Sequence, residues 1–206
     1  MPDPFLRRDP AAEGLELLPR EFYRGDCVGV ARALIGATFA RRFRGAWYAA
    51  RIVETEAYLG VPDAAAHSRG GRRTPRVEPM YADGGHLYVF FVYGMHSCAN
   101  VVTRGPGVPE AVLIRAAAGP PEAPARLLSG PGRFCAALAI TTEASGSDIV
   151  AGREFRIFRR ERRPRIGVSP RIGVDYAGDA KDWPLRFFDR DSPAVSGPRR
   201  KKNGGG

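Results

Sequence analysis

The chain has 206 residues, of which 44% are hydrophobic and 26% charged, which is typical of one globular domain with a sizeable core. Its formal net charge of +10 favours a polyanionic partner, either nucleic acid or an anionic membrane surface. Three widely separated cysteines, the lack of an apolar secretory leader and the lack of any run of 18 apolar residues argue against a disulfide-stapled or membrane-spanning protein.

In chain order, residues 1–20 are rich in proline, arginine and acidic residues and predict a poorly ordered arm. Asp26 is the expected N-cap of a helix over residues 27–39, where apolar residues recur at helical spacing. Residues 46–59 predict a strand. A connection rich in glycine and arginine follows over residues 61–76.

The second half of the chain predicts several short strands. Residues 87–93 and 97–103 are β-type runs joined through Gly94 and Met95, which suggests a hairpin. Shorter strands are expected at residues 111–115, 154–158 and 185–188, and a helix at residues 131–140. Residues 197–206 predict a disordered basic tail. The order of elements predicts a single α+β domain over residues 21–196, built around antiparallel strands.

The strand RIVETEAYLG carries two carboxylates that period-2 geometry places on one face. Ile52, Glu54, Glu56 and Tyr58 fall on that face if alternation is strict. A carboxylate that lines a cleft can orient a water molecule and stabilise a developing oxocarbenium ion. Spacing alone favours the alternative, a solvated strand face with both glutamates exposed.

Two further segments have alternative interpretations. The aromatic strand LYVFFVYG is more often core, but Tyr93 precedes the expected hairpin tip, where an exposed ring can stack on a base or wedge into a base step. The segment HSRGGRRTPR offers four arginines that can hold phosphates. It can equally be a flexible basic loop.

Two kinds of chemistry are disfavoured by the residues that are missing. His67, His86, His96 and Cys98 form no zinc-binding motif, so we expect no metal. The chain has only three lysines, at positions 181, 201 and 202. A glycosidic bond would therefore be attacked by water rather than by a buried lysine amine.

Several blocks, in collinear order from about residue 21 to 196, closely resemble the alkyladenine (3-methyladenine) DNA glycosylase family. These blocks are RIVETEAYLG, AAHSRGGRRTPR, LYVFFVYGMHSCANV, VLIRA, SGPGRFCAALAI, RIGV and PLRFF. The resemblance implies a curved antiparallel sheet with a protruding β-hairpin that enters the DNA minor groove, and no metal or organic cofactor. It also implies removal of 3-methyladenine, 7-methylguanine, hypoxanthine and ethenoadenine, which leaves an abasic site.

The resemblance also assigns roles to residues at matching positions. Glu56 matches the carboxylate that deprotonates the attacking water, and Tyr93 matches the tyrosine that fills the gap left by the flipped nucleotide; Met95 is expected to intercalate beside it. The predicted base pocket consists of Tyr58, His67, Phe90, Asn100 and Arg115. Phe90 departs from the family, which commonly has tyrosine there, so the preference among lesions is open. Phosphates are expected to bind Arg69, Arg72, Arg73 and Arg133.

The predicted partner is double-stranded DNA with damaged purines, bound by a monomer that does not associate with membranes. We expect a cytoplasmic protein near the nucleoid in a bacterium, and a nuclear one in a eukaryote. Two alternatives stay open: a non-catalytic protein that binds damaged DNA, and an RNA-binding module built on the aromatic strand. A membrane-surface protein is the weakest alternative, because no basic amphipathic helix stands out.

Overall fold

The computed structural model describes residues 1–92 and 94–197. Within them lie three short α-helices and eight strands. The helices are α1 (Arg20–Tyr23), α2 (Cys27–Leu34) and α3 (Pro131–Ala137). The strands are β1 (Thr38–Phe43), β2 (Ala46–Tyr58), β3 (Leu87–Val92), β4 (His96–Thr103), β5 (Glu110–Ala118), β6 (Phe155–Phe158), β7 (Ile166–Ser169) and β8 (Arg186–Asp189). No helix in these two stretches is long and apolar enough to cross a membrane.

All eight strands belong to one curled antiparallel sheet, which confirms the predicted α+β fold. The main path runs β3-β4-β5-β2-β1-β6, and β8 pairs with both β2 and β7. The first half of β2 pairs with β1, and its second half lies between β5 and β8. Helices α2 and α3 contribute to the main hydrophobic core against the sheet. The long strand β2 is therefore central to the architecture.

Helix α2 begins as predicted but ends earlier. The Asp26 carboxylate accepts a hydrogen bond from the Gly29 amide at 2.7 Å, which confirms the N-cap. The helix ends at Leu34, so the predicted extension to residue 39 is wrong. Gly36 has a φ of 93° and its amide donates to the Ile52 carbonyl at 2.8 Å. The backbone amide of Gly36 therefore bonds to strand β2 and not to a carbonyl of the helix.

Strands β1 and β7 were not predicted from the sequence. The segment TFARRF of β1 directly follows apolar residues with helical spacing, and IGVS of β7 is a four-residue piece between arginines and prolines. Strand β1 forms by pairing with β2, and strand β7 forms by pairing with β8. Local composition carries little signal for strands that depend on such non-local pairing.

Strand β2 contains a β-bulge that changes which side chains share a face. The register with β5 shifts on both sides of Glu54. Ile52 and Ala57 both lie in the main core, although strict alternation would put them on opposite faces. The predicted common face of Ile52 with the two glutamates is therefore wrong. Glu56 and Tyr58 do lie on the same face, as the hydrogen bond from the Tyr58 hydroxyl to the Glu56 carboxylate shows.

Strands β3 and β4 pair from Leu87 opposite Val101 to Val92 opposite His96. Met95 lies in their connection and is 70% exposed. Tyr93, the predicted DNA wedge, lies outside the described residues, as do residues 198–206 of the predicted tail. Entry of this connection into DNA stays a prediction.

The first 20 residues lie against the domain in the structure. Leu6 is fully buried in the main core. The Asp3 amide donates to the Ala137 carbonyl at 2.8 Å, and the Leu18 amide donates to the Ile157 carbonyl at 3.0 Å. These contacts do not measure how mobile the segment is or whether residues 21–196 fold without it. The flexible arm and the domain boundaries at residues 20 and 196 therefore stay predictions. The contacts themselves make the segment a part of the core.

We expect Leu6→Ala to lower the free energy of unfolding by about 2–5 kcal/mol, because it removes buried methyl groups and leaves a cavity. Urea unfolding followed by circular dichroism measures this change. Phe5→Ala is the matched control, since Phe5 is 47% exposed and its truncation should have a small effect. Equal stabilities of the two variants would show that the segment does not contribute to the core.

Candidate active site

A cavity of about 430 Å³ opens between strands β3, β4 and β5 and the segment that follows β7. This volume is suited to a small planar molecule. Aromatic and apolar side chains make up much of its wall, with a few polar groups among them. The lining includes Tyr58, His67, Arg76, Tyr88, Phe90, Cys98, Asn100, Leu113, Arg115, Ile172 and Tyr176. All five residues predicted for the base pocket line this cavity.

Glu56 lies directly behind the cavity wall and is fully buried. Its Oε2 accepts a hydrogen bond from the Tyr58 hydroxyl at 3.0 Å. Its Oε1 accepts one from the Ile172 amide at 2.8 Å and lies 3.3 Å from Nη1 of Arg115. These three partners all line the cavity. The solvated strand face that spacing alone favoured is therefore wrong for Glu56.

Burial raises the pKa of Glu56 above its usual range. The positive charge of Arg115 opposes this rise, as do the hydrogen bonds from the Ile172 amide and the Tyr58 hydroxyl. Glu54 adds to the rise through like-charge repulsion. The net result is a carboxylate that is a stronger proton acceptor than an exposed glutamate, beside a cavity.

Glu54 is also fully buried, so the predicted alternative of a solvated strand face is wrong for it as well. Its carboxylate is bound by several structural partners. Nε of Arg115 and Nε of Arg186 lie 3.0 and 2.7 Å from its Oε1. Ser196 donates its backbone amide at 2.6 Å and its hydroxyl at 3.0 Å. Glu54 thus neutralises and orients two arginines, whereas Glu56 is left with one direct cationic contact.

Sequence reasoning missed Arg186 and Ser196. They lie 132 and 142 residues from Glu54 along the chain. Arg186 lies beside Glu54 because its strand, β8, pairs with β2. No spacing rule connects positions that far apart. The PLRFF block was noted as part of the family resemblance, and its arginine is the one signal that could have pointed to this contact.

An aromatic cluster forms the opposite wall. The His67 ring lies 4.5 Å from the Phe90 ring, centroid to centroid, and its Nδ1 is 2.8 Å from the Tyr88 hydroxyl. Burial, together with the charges of Arg76 and Arg72, lowers the pKa of His67. Burial also raises the pKa of Tyr88 to about 12. Both side chains are therefore uncharged at neutral pH, and the wall presents flat neutral rings.

Asn100 and Arg115 complete the polar part of the cavity. Nδ2 of Asn100 donates to the Tyr88 carbonyl at 3.0 Å, which fixes the amide side chain at the wall. Arg115 has its Nε on Glu54 and its Nη1 on Glu56, so its fork is held between the two carboxylates. A buried and doubly paired guanidinium has little freedom to turn towards other ligands.

The predicted phosphate-binding arginines are all exposed and lie outside the cavity lining. Arg73 forms an ion pair with Glu78, at 2.5 Å, so its charge is already partly compensated. Arg76, which sequence reasoning named only as part of its segment, is the arginine of that segment that lines the cavity, and its guanidinium lies 5.7 Å from the Phe90 ring. Met95 does not belong to the cavity lining either.

Within residues 1–92 and 94–197, no three His, Cys, Asp or Glu side chains gather closely enough to hold a metal ion. The chemical groups that the cavity does offer are flat neutral rings, two arginines (the exposed Arg76 and the buried Arg115) and, behind its wall, a buried carboxylate of raised proton affinity. This combination can hold a planar heterocycle by stacking and direct a water molecule at an atom attached to it.

The chain is similar in sequence to known proteins that share one family name. A sequence model of the family Methylpurine-DNA glycosylase (MPG) matches residues 21–193. A relative from Desulfitobacterium hafniense is 43% identical over 203 residues, covering 88% of this chain and 99% of its own. Relatives from Methanocella arvoryzae and Bdellovibrio bacteriovorus are 41% and 43% identical over 196 and 194 residues, which span 88% and 87% of this chain and 96% and 98% of theirs. All three carry the name "Putative 3-methyladenine DNA glycosylase".

We expect Glu54→Gln to destabilise the fold by about 3–5 kcal/mol, because it leaves two largely buried arginines without their shared carboxylate. Urea unfolding at neutral pH measures the change. Glu143→Gln is the control, since Glu143 is exposed. A Glu54→Gln variant as stable as that control would mean that the arginines find other partners and that Glu54 is not needed to hold them.

Proposed function

The chain belongs to the methylpurine-DNA glycosylase family and is a DNA N-glycosylase, a hydrolase of DNA repair, and we propose that it removes alkylated and deaminated purines and leaves an abasic site. The proposed substrates are 3-methyladenine, 7-methylguanine, hypoxanthine and ethenoadenine. The observation that carries the proposal is Glu56, a buried carboxylate whose three hydrogen-bonding and ionic partners all line one aromatic cavity. The family sets aside the alternatives of a non-catalytic DNA binder and an RNA-binding module.

The damaged purine would leave the helix and enter the cavity between Tyr58, His67 and Phe90. Flipping requires a few kcal/mol and requires less for a mismatched or damaged base, so extrusion already discriminates. Aromatic faces attract a cationic purine by about 0.5–2 kcal/mol. The lowered pKa of His67 keeps that ring neutral, so it does not repel the cation.

Glu56 would act as the general base for an attacking water. As the water oxygen bonds to C1′ of the sugar, its proton passes to the Glu56 carboxylate. The glycosidic C–N bond breaks and its electron pair leaves with the base. A purine methylated at N3 or N7 carries a positive charge, so it departs as a neutral molecule without prior protonation. Arg115 and the Ile172 amide hold the carboxylate in place during this step.

Outside the cavity, the proposed contacts are with duplex DNA. Arg69, Arg72 and Arg133 are exposed and suited to bind phosphates, which fix the position of a protein on the duplex without reading its sequence. Tyr93 and Met95 remain the predicted intercalating residues at the β3–β4 connection. We further propose that the protein acts as a monomer on chromosomal DNA in the cytoplasm of a prokaryotic cell.

We expect Glu56→Gln to slow base release by about 10²–10⁴-fold, the usual contribution of a general base, while binding to lesion DNA persists. A single-turnover release assay across duplexes that hold each of the four proposed lesions measures this loss, and gel shifts measure binding. Because Glu56 must be ionised to accept the proton, the wild-type rate should fall as pH drops through its raised pKa. Undiminished release by the variant would remove Glu56 from the mechanism.

Phe90→Tyr should change the preference among lesions. The added hydroxyl can form a hydrogen bond with a neutral base, worth about 0.5–1.5 kcal/mol, while stacking on a cationic base stays the same. We therefore expect the rate ratio of hypoxanthine to 7-methylguanine to change up to about tenfold. Phe43→Tyr, in strand β1 and outside the cavity lining, is the control. An unchanged ratio would mean that position 90 contributes stacking alone.

A further inference from the structure

The tetrapeptide RIGV occurs twice, at residues 165–168 and 171–174, and its two arginines have opposite environments. The side chain of Arg165 is 73% exposed and lies 3.3 Å from Asp191 at the surface. The side chain of Arg171 is fully buried. The second copy therefore carries a charged group into the interior, and the mechanism above gives that group no role.

Arg171 is held on several sides. Its Nη1 and Nη2 bind the two oxygens of Asp63 at 2.5 and 2.9 Å, and the Asp63 side chain is also fully buried. The same two nitrogens donate to the carbonyls of Ala57 at 3.0 Å and Ala180 at 3.1 Å. The guanidinium is thus fixed in plane and direction by four hydrogen bonds.

Asp63 extends this arrangement to the turn that follows β2. Its carboxylate accepts hydrogen bonds from the amides of Leu59 and Ala65, both at 3.0 Å. The pair therefore ties the end of β2 to the segment after β7. Both segments supply walls of the cavity, through Ala65 on one side and Ile172 on the other.

The guanidinium carbon of Arg171 lies 4.7 Å from the centre of the Tyr58 ring. Tyr58 lines the cavity and Arg171 does not, so the ring stands between the cation and the cavity. The hydroxyl of the same ring donates to Oε2 of Glu56. Contact between a fixed cation and the ring face restricts the direction in which that hydroxyl can point.

From this geometry we propose that Arg171 is a positioning residue, which with Asp63 fixes the Tyr58 ring and thereby directs its hydroxyl at Glu56. The proposal rests on the proposed role of Glu56 as the general base. It also explains why the interior holds an ion pair here. Apolar residues of similar volume often stabilise a fold as well as a buried ion pair does, but they cannot impose a comparable orientation on a neighbouring ring.

Other charged and titratable groups around Glu56 come from every neighbouring element. They are Arg115 on β5, Cys98 on β4, Glu54 on β2, Arg171 after β7, and Arg186 on β8, which is paired with Glu54. Cys98 stays uncharged near neutral pH because burial raises its pKa to about 11. A substitution that keeps the charge at position 171 therefore leaves this electrostatic environment nearly intact and isolates the geometric role.

The test uses the full chain with Arg171→Lys, Tyr58→Phe and the double variant, and Arg165→Lys as the matched control from the first RIGV copy. Lysine keeps the charge but cannot form the bidentate pair or stack in plane. Single-turnover release from a duplex with one 7-methylguanine is measured against pH, because this base is already cationic and needs no proton to leave. The folded fraction of each variant is followed by circular dichroism at every pH, and rates are normalised to it, so that acid unfolding is not counted as a shift of the limb.

We expect Tyr58→Phe to move the acid limb to higher pH, since Glu56 loses a hydrogen bond that favours its ionised form. Arg171→Lys should move it in the same direction, the double variant should move it no further than Tyr58→Phe does, and Arg165→Lys should leave it in place. A wild-type limb in Arg171→Lys, even with a reduced rate, would overturn the proposal. Additive shifts in the double variant would do the same, because Arg171 would then act independently of Tyr58.

Two further variants make the test decisive. If Arg171→Lys does not fold, Asp63→Glu keeps both charges of the pair but displaces the carboxylate that anchors Arg171, so it should shift the limb in the same direction; an unshifted limb there overturns the proposal. Glu56→Gln distinguishes the two levels of inference. Loss of the acid limb in Glu56→Gln without a shift in Arg171→Lys refutes only the role of Arg171, whereas an acid limb that survives Glu56→Gln refutes the proposed general base itself.

Discussion

Two carboxylates buried two residues apart on strand β2 are the constraint on which the rest of the site depends. Removal of two like charges from water is costly unless cations and hydrogen bonds compensate them. Glu54 receives that compensation almost completely, from Arg115, Arg186 and Ser196. Glu56 shares Arg115 and otherwise has only the Tyr58 hydroxyl and one backbone amide. The unequal sharing leaves one carboxylate structural and the other with an increased affinity for protons.

The course of β2 makes this arrangement possible. Its second half has neighbours on both edges, with β5 on one side and β8 on the other, and each of these strands contributes one of the two arginines. The bulge at Glu54 shifts the alternation of side chains, so the strand supplies Ile52 and Ala57 to the main core and still directs Glu56 towards the cavity. A regular strand could not do both.

Charge is distributed differently inside and outside the cavity. The exposed arginines around the connection after β2 give the surface a positive field suited to phosphates. Inside, His67 and Tyr88 are neutral at physiological pH, because burial and two nearby arginines lower the pKa of His67 and burial raises the pKa of Tyr88. The surface charge is thus suited to a DNA backbone, while the proposed cationic purine would meet neutral rings inside, with Arg115 paired to the carboxylates of Glu54 and Glu56.

The residues that line the candidate active site were largely named from the sequence, because they lie in contiguous blocks. Period-2 spacing placed Glu56 and Tyr58 on the same face, and the family resemblance distinguished Glu56 from Glu54 and named the base pocket. Composition and element order were sufficient for an α+β fold. These features are local, or they depend on short motifs that are read directly along the chain.

Only the tertiary structure decided whether the two glutamates were solvated or buried, and how they differ. The partners that answer this question, Arg186 and Ser196, are more than a hundred residues away and meet Glu54 through strand pairing and the path of the chain after β8. The same holds for Arg171, which has the same four-residue motif as the exposed Arg165. Proton affinity and orientation depend on three-dimensional burial and on non-local neighbours, and neither follows from the order of residues along a strand.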